Sequence, residues 1–582
     1  MFNPTRKFIK FVFNNTLLYD KLMTIINNLQ YFSEQYPSKI AFSKILDDEL
    51  ALQSISFKEL DDQSSDLACA IKNQLGDSLY IVILLPQGLE FIITILAIFK
   101  AGKIAIPCII PKRKNGVDRL LAILKDSGSK DIICSEIETL RILKEDTIAD
   151  FKGITWWNYE SLVHLTKTNN ISTPINPVAF IQYTSGSTGS PKGVVISHAN
   201  LLHNSSLSQK SFQTNTNTKS ICWLPNFHDL GLVDGIFQPI FSGFQGFLMT
   251  TTQFTQNPRL WLQAISKFEI DYTASPNFGI DFACNRISED QLSGLDLSKL
   301  RFILTGSEPI RWNTIKAFTE KFAPVGFNKT KFMTGYGMAE ATLNISTSPI
   351  DTEPIVLTVD QDCLKEDLIS LVRNGHTLVS SGKIQEGLKI SIRDTKHQQI
   401  LEEKQIGEVW VAGESISSGY LNKENLNKTL FQQEGNYFKT GDLGFLYDEY
   451  LYITGRIKEL IILNGKNHYP QDIEQTILRT NLHLLQDGAA VTSFDDGIKE
   501  QVIAIVEVNR NFPSDSFEDL LVNIQREVFK EQEISLYDIV IVQHGSLSKT
   551  TSGKMQRKEN LAKYLNQSLT KLISIRDIYE QR

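Results

Sequence analysis

The feature that most restricts how this 582-residue chain folds is a repeated alternation of short β-branched runs with stretches of helical spacing. YIVILL at 80–85, KIAIPC at 103–108, DIICS at 131–135 and GITWW at 153–157 are each followed by a segment with helical periodicity. Strands separated by helices pair in parallel through crossover connections, which predicts an α/β architecture. A hydrophilic stretch, TKTNNISTPINP at 166–177, reads as a linker. From about residue 385 the texture becomes hairpin-like, with LKISIRD, GEVWVAG and FLYDEYLYITG. Beyond Arg456 a compact α+β tail begins. The expected division is an N-terminal extension (1–22), a large α/β domain with a β-rich part (23–456), and a small, mobile α+β domain (457–582).

Several classes are excluded early. Residues 78–99 are strongly apolar, but Pro86-Gln87-Gly88 interrupts them, so they read as a buried strand, a turn and a packed helix over 89–100 rather than a membrane span. The N-terminal MFNPTRKFIKFVFNN lacks a signal-peptide core and cleavage site. A net charge of −7 and a pI near 5.8 argue against a nucleic-acid partner. The six cysteines show no metal-like spacing, and a reduced, cytoplasmic compartment is expected.

Residues 178–195 read VAFIQYTSGSTGSPKGVV: an apolar strand reaching Tyr183, then Thr184, Ser185, Gly186, Ser187, Thr188, Gly189, Ser190, Pro191, Lys192 and Gly193. The glycines let backbone N–H groups turn toward an anion, and the hydroxyls and Lys192 add donors, so the loop suits a polyphosphate. A Walker loop needs its lysine followed by Ser or Thr and opening into a helix. Here Pro191 precedes Lys192, Gly193 follows it, and VVISH continues as extended chain. A flexible Ser/Gly linker is the bland reading, and the position between two apolar strands speaks against it.

YTSGSTGSPKGV resembles the signature loop of the adenylate-forming superfamily, which includes acyl-CoA synthetases, luciferases, peptide-synthetase adenylation domains and fatty-acyl-AMP ligases. Further landmarks follow in that family's order. TGSEPIR at 305–311 resembles its adenine wall (Gly306, Ser307, Glu308, Pro309), and TGYGMAE at 334–340 its next core motif (Gly335, Tyr336, Gly337, Met338, Glu340). Tyr336 offers a flat face to a purine, and Glu340 a hard oxygen to Mg2+. By resemblance, Thr184 and Glu340 flank the metal that accompanies ATP. YFKTGDLGFL at 437–446 matches the ribose motif, with Asp442 expected on a tight turn, accepting from both ribose hydroxyls. GRIKELIILNGKNHYPQDIE at 455–474 supplies Arg456 on the ribose and phosphate side and Lys458 at the interdomain hinge; LSKTTSGKMQR at 547–557 resembles the closing motif, with Lys554 as its catalytic lysine. Singly, these segments read as turns and solvated charges; their order gives them weight. Ser307, Glu459 and Lys549 depart mildly from the residues usual in the family.

Joining a carboxylate to the α-phosphate of ATP brings two anions together, and an ammonium between them offsets the repulsion. No general base is required, since the carboxylate is ionised at pH 7. With Lys554 on the small domain, the reaction needs one domain to close over the other.

WLPNFHDLGLVDG at 223–235 resembles the family's acyl-pocket motif. His228, Asp229, Gly231 and, further on, Gly279 are the expected pocket residues, with His228 and Asp229 gating or structural rather than metal-binding. Two features resemble the fatty-acyl-AMP ligase branch: NHYPQDIE at 467–474 and an extended segment at 351–376, which in that branch packs against the large domain and hampers a CoA-using pose. The implied reaction uses ATP and Mg2+ to convert a fatty acid to acyl-adenylate and pyrophosphate. Transfer to the phosphopantetheine thiol of a separate acyl carrier protein follows, since no carrier attachment site is present. The alternatives are a long-chain acyl-CoA synthetase and a non-catalytic nucleotide- or lipid-binding protein. Residues 546–582 carry eight Lys or Arg against three acids, a basic surface on which an acidic carrier is expected to dock through Arg557 and Lys558.

Overall fold

The computed structural model describes residues 24–76, 78–111, 114–143, 148–165, 175–184, 191–463, 466–481, 484–497, 499–550 and 553–581. The N-terminal extension, most of the 166–177 linker and residues 185–190 of the phosphate loop lie outside that set.

The alternation folds as the sequence implies. Strands Thr155–Asn158, Asp131–Cys134, Tyr80–Leu84, Ile104–Pro107, Val178–Thr184 and Lys192–Ser197 form a six-stranded sheet in that spatial order, parallel except for the last pair. Side chains alternate across it: Ile81 and Ile83 join one core, Val82 and Leu84 another. The apolar helix is Leu89–Lys100, and residues 91–99 are buried without exception because it lies in the core shared with the second sheet.

That second sheet has thirteen strands and changes character at Phe332–Gly337, which pairs in parallel with Phe302–Thr305 and antiparallel with Asn344–Thr347. The parallel half includes Lys219–Cys222, Tyr272–Ala274 and Phe302–Thr305. The antiparallel half contains the expected hairpins, Lys389–Arg393 with Gly407–Ala412 and Phe438–Tyr447 with Tyr450–Arg456. Open α/β sheets bind ligands beyond the carboxyl ends of their parallel strands, where the topology switches. Here those ends lead directly into residues 223–229, 275–278, 306–309 and 338–340.

After Arg456 the chain builds a four-stranded sheet, Leu484–Asp495, Glu500–Val508, Asp538–Gln543 and Lys571–Ser574, with a short hairpin, Ile461–Leu463 and Lys466–His468. Helices Pro470–Arg479 and Phe517–Gln532 present Ile473, Ile477, Leu520, Leu521, Ile524 and Val528 to one face of it. The resulting core draws its buried residues from 461–575 alone.

Two expectations need correction. Arg557 is not a free docking cation: its Nε and Nη2 each lie 2.7 Å from Glu474, and Nη1 pairs with Glu459. This partly buried fork ties the closing motif to the hinge segment. Residues 351–376 contact the small domain as well as the large one. Gln361 Nε2 donates to Gln532 Oε1 at 3.0 Å, Lys365 pairs with Glu533 at 3.7 Å, and His376 lies 4.0 Å from Asp472.

His198 opens helix His198–Phe212 at 3% exposure, edge-on to Phe99 at 4.9 Å, and neither ring nitrogen has a hydrogen-bond partner among the described residues. Burial holds its pKa down at about 3. The stability this neutral imidazole contributes is complete above its unfolded value of about 6.5 and is lost as pH falls toward 3. Between pH 6.5 and 4.5 the loss is about 2 to 3 kcal/mol. The urea midpoint of wild type should fall more steeply over that interval than that of His198→Leu; equal slopes would count against a buried neutral histidine.

Candidate active site

A cleft of about 1910 Å3 runs between the two halves of the chain. Thr184, Lys192, His228, Asp229, Ser307, Glu308, Pro309, Gly335, Tyr336, Gly337, Met338, Glu340, Asp442, Arg456, Lys458 and Lys554 all line it, although they come from segments spread over 370 residues of sequence. Three expected residues do not. Gly306 backs onto Gly335, where an added Cβ would lie 2.5 Å from a carbonyl oxygen. Gly231 and Gly279, expected in the acyl pocket, are packed instead: a Cβ would meet the Pro225 carbonyl oxygen at 2.1 Å and the Trp223 ring at 2.6 Å, respectively. Close backbone and ring packing accounts for these glycines.

Asp442 does not sit on an isolated turn. It lies inside strand Phe438–Tyr447, opposite Arg456 in register. The ladder to Gly407–Ala412 is irregular there, and Gly441, at φ +74°, bulges the strand so that the carboxylate faces the cleft. The Tyr336 hydroxyl donates to Asp442 Oδ2 at 2.7 Å, and Arg456 Nε lies 2.8 Å from Oδ1. The tyrosine is therefore pinned through its hydroxyl while its ring borders the cleft. Each carboxylate oxygen keeps a second lone pair, so the pair still accepts from a vicinal diol.

Glu340 projects from the short turn Ala339–Ala341. Thr342, buried and at φ +68°, ψ −58°, is the centre of a tight turn closed by Leu343 N–H to the Ala341 carbonyl at 2.8 Å, and its hydroxyl donates to the Ser415 carbonyl at 2.8 Å. A β-branched residue held in that conformation is local strain beside the Glu340 carboxylate. The Tyr420 hydroxyl donates to Glu340 Oε1 at 2.6 Å, and Lys192 Nζ lies 5.2 Å from the centre of the Tyr420 ring. Asn427 clamps Tyr420 from both sides, accepting from its N–H and donating to its carbonyl, each at 2.8 Å. Nothing in the spacing of SSGYLN marks Tyr420, and sequence reasoning missed it. Among the described residues no cluster of three or more His, Cys, Asp or Glu would hold a metal ion. Glu340 and Thr184 both line the cleft with hard oxygens, the donor type that Mg2+ takes.

Lys554 follows Gly553, at φ +86°, and its N–H donates to Thr550 Oγ1 at 2.9 Å. Burial, then Arg456, lower its pKa, while Asp229, Glu308 and Asp442 act to raise it. These three carboxylates belong to the large body and the lysine to the small one. Glu308 accepts from the Phe278 N–H at 2.5 Å. Burial and then the Asp487 carboxylate push it up to about 7, against Phe278, Arg311 and Lys554. Burial raises Asp229, but His228, with Nδ1 2.6 Å from Oδ1, and then Lys554 bring it below the ordinary range. Lys192 is lowered by burial and by Lys458, against Glu340. The cleft thus holds cations from both bodies at one end of a half-buried, carboxylate-lined space.

An AMP-binding enzyme family model matches residues 29–421, and a model described as Disco-interacting protein 2-like, AMP domain, matches 458–574. The chain is 34% identical to a medium-chain-fatty-acid–[acyl-carrier-protein] ligase, JamA, of Moorena producens, over 94% of this chain and 96% of that protein. It is 31% identical to a long-chain-fatty-acid–AMP ligase, FadD26, of Mycobacterium marinum, over 93% and 97%. A fatty acyl-adenylate ligase from Legionella pneumophila, solved with acyl adenylate and pyrophosphate, superposes with a TM-score of 0.72 at 30% identity, covering 95% of this chain and 98% of that one. The chain belongs to the AMP-binding, adenylate-forming enzymes, in their fatty-acyl-AMP ligase branch.

Proposed function

We propose that this chain activates a fatty acid with ATP, releasing pyrophosphate, and passes the acyl group to the phosphopantetheine thiol of a separate acyl carrier protein. The observation that carries the reading is Lys554, set by the small domain among Asp229, Glu308 and Asp442 of the large one. When the fatty-acid carboxylate approaches the α-phosphate, the ammonium bridges the two anions and holds the attacking oxygen in line as charge grows on phosphorus. Asp442 and Arg456 hold the ribose, and Tyr336 with residues 307–309 walls the adenine. The phosphate loop, including Ser185, Gly186, Ser187, Thr188 and Gly189, holds the β- and γ-phosphates with Lys192. Mg2+, held by Glu340 and Thr184, neutralises phosphate charge when bound. Tyr420 orients Glu340 so that its second oxygen remains free. His228 and Asp229 line the acyl side, and Lys458 serves as hinge.

The name of the Moorena relative supports a carrier acceptor. The bonds from residues 351–376 to the small domain favour the same reading, because they hold the lid in its present pose. No described helix is long and apolar enough to cross a membrane, and a cytoplasmic location is proposed from the six cysteines, which form no disulfide among the described residues.

Lys554→Ala should keep ATP and AMP binding while reducing fatty-acid-dependent ATP–pyrophosphate exchange by about 1000-fold; near-normal exchange would remove the lysine from the chemistry. Tyr420→Phe deletes one hydrogen bond of about 1 kcal/mol. The Mg2+ concentration giving half-maximal exchange should therefore rise about fivefold, with KM for dodecanoate unchanged; an unaltered Mg2+ requirement would refute the orienting role. Given ATP, dodecanoate and both acceptors, the enzyme should acylate a phosphopantetheinylated carrier and leave CoA unreacted. Rapid CoA-ester formation would instead make it an acyl-CoA synthetase.

A further inference from the structure

Arg119 stands at the phosphate end of the cleft, on helix Lys114–Ser127, sharing the wall with Thr184 and Lys192. The helix is fixed to the strand that feeds the phosphate loop, because the Tyr183 hydroxyl donates to Asp126 Oδ2 at 2.9 Å. Asp126 lies two turns beyond Arg119, but its charge is already matched by Lys423 Nζ at 2.7 Å from Oδ1. What the guanidinium meets is the Tyr183 carbonyl, 3.5 Å from Nη2, and the neighbourhood of Cys108, whose thiol burial pushes up to about 12 and so keeps neutral. Among the described residues no carboxylate pairs with it. Arginine stays charged in proteins, and a half-buried guanidinium without a counter-ion is unfavourable until an anion arrives. The carbonyl it touches belongs to the residue just before Thr184, so its donor fork faces the entrance of the phosphate loop.

We propose that Arg119 binds the β,γ-phosphoryl end of ATP and the departing pyrophosphate, its planar fork meeting phosphoryl oxygens that Lys192 alone would meet as a point charge. The proposal rests on the adenylation reading above. The phosphate of a carrier's phosphopantetheine arm has the same chemistry, but the position beside Thr184 and Lys192 favours the nucleotide.

The test compares wild type, Arg119→Gln and Arg119→Lys in fatty-acid-dependent ATP–pyrophosphate exchange, in AMP and inorganic pyrophosphate binding by calorimetry, and in acyl transfer from preformed acyl-adenylate to a carrier. In R119Q, KM for pyrophosphate and for ATP should rise about 10- to 100-fold. R119K should lie between, with AMP affinity and acyl transfer at wild-type values. AMP lacks the two outer phosphates, so unchanged AMP binding separates a lost contact from a misfolded cleft. Wild-type pyrophosphate affinity in R119Q, an equal loss of AMP affinity, or a defect confined to carrier transfer would each overturn the assignment. A wild-type protein without exchange would sink the adenylation reading itself, and direct pyrophosphate binding would then still decide Arg119.

Discussion

An ammonium carried by one body of the chain sits among carboxylates of the other, and the rest of the arrangement depends on that placement. Lys554 faces Asp229, Glu308 and Asp442 only because the small domain is seated over the cleft. Removing a lysine from water is unfavourable unless anions meet it. In the proposed chemistry, the substrate carboxylate and the α-phosphate add the anions that this closed position is built to receive. The seat is held by contacts remote from the chemistry. Arg557 clamps the hinge Glu459 to Glu474, and the 351–376 segment reaches across to Gln532 and Glu533.

The large body supplies the fixed half of the site through its sheet topology. Parallel strands end at one edge, and the loops that leave them are short, so residues far apart in sequence converge without long excursions. Rigid side-chain clamps then set directions: Tyr336 on Asp442, Tyr420 on Glu340, and Asn427 on Tyr420. Positioning groups that are themselves hydrogen-bonded lose little freedom when a substrate binds.

Much of this was legible in the sequence. The parallel strands between 80 and 184, the packed helix at 89–100 and the hairpins after 385 follow from hydrophobic periodicity, which the folded chain obeys. The motifs placed most of the cleft because each lies at a strand end, where local sequence and topology coincide. What was not legible depends on partners distant in sequence. Asp442 read as a turn because TGD is usually one, while a bulge between two strands keeps it in a ladder. Gly231 and Gly279 read as acyl-pocket residues, yet their small size answers to Pro225 and Trp223. Arg557 read as surface charge until Glu459 and Glu474 enclosed it. Tyr420 and Arg119 carry no spacing signal at all; only their hydrogen-bond partners, or the lack of a counter-ion, single them out.

The most direct test of acyl-adenylate formation follows a single oxygen atom. Dodecanoate labelled with 18O in both carboxylate positions is incubated with ATP, the enzyme and a phosphopantetheinylated carrier, and the products are analysed by mass spectrometry. Attack of the carboxylate on the α-phosphate, followed by thiol attack at the acyl carbon, breaks the carbon–oxygen bond and leaves one 18O in AMP. The account predicts AMP carrying one label and pyrophosphate carrying none. Label in pyrophosphate or inorganic phosphate, or acylated carrier accompanied by unlabelled AMP, would contradict it.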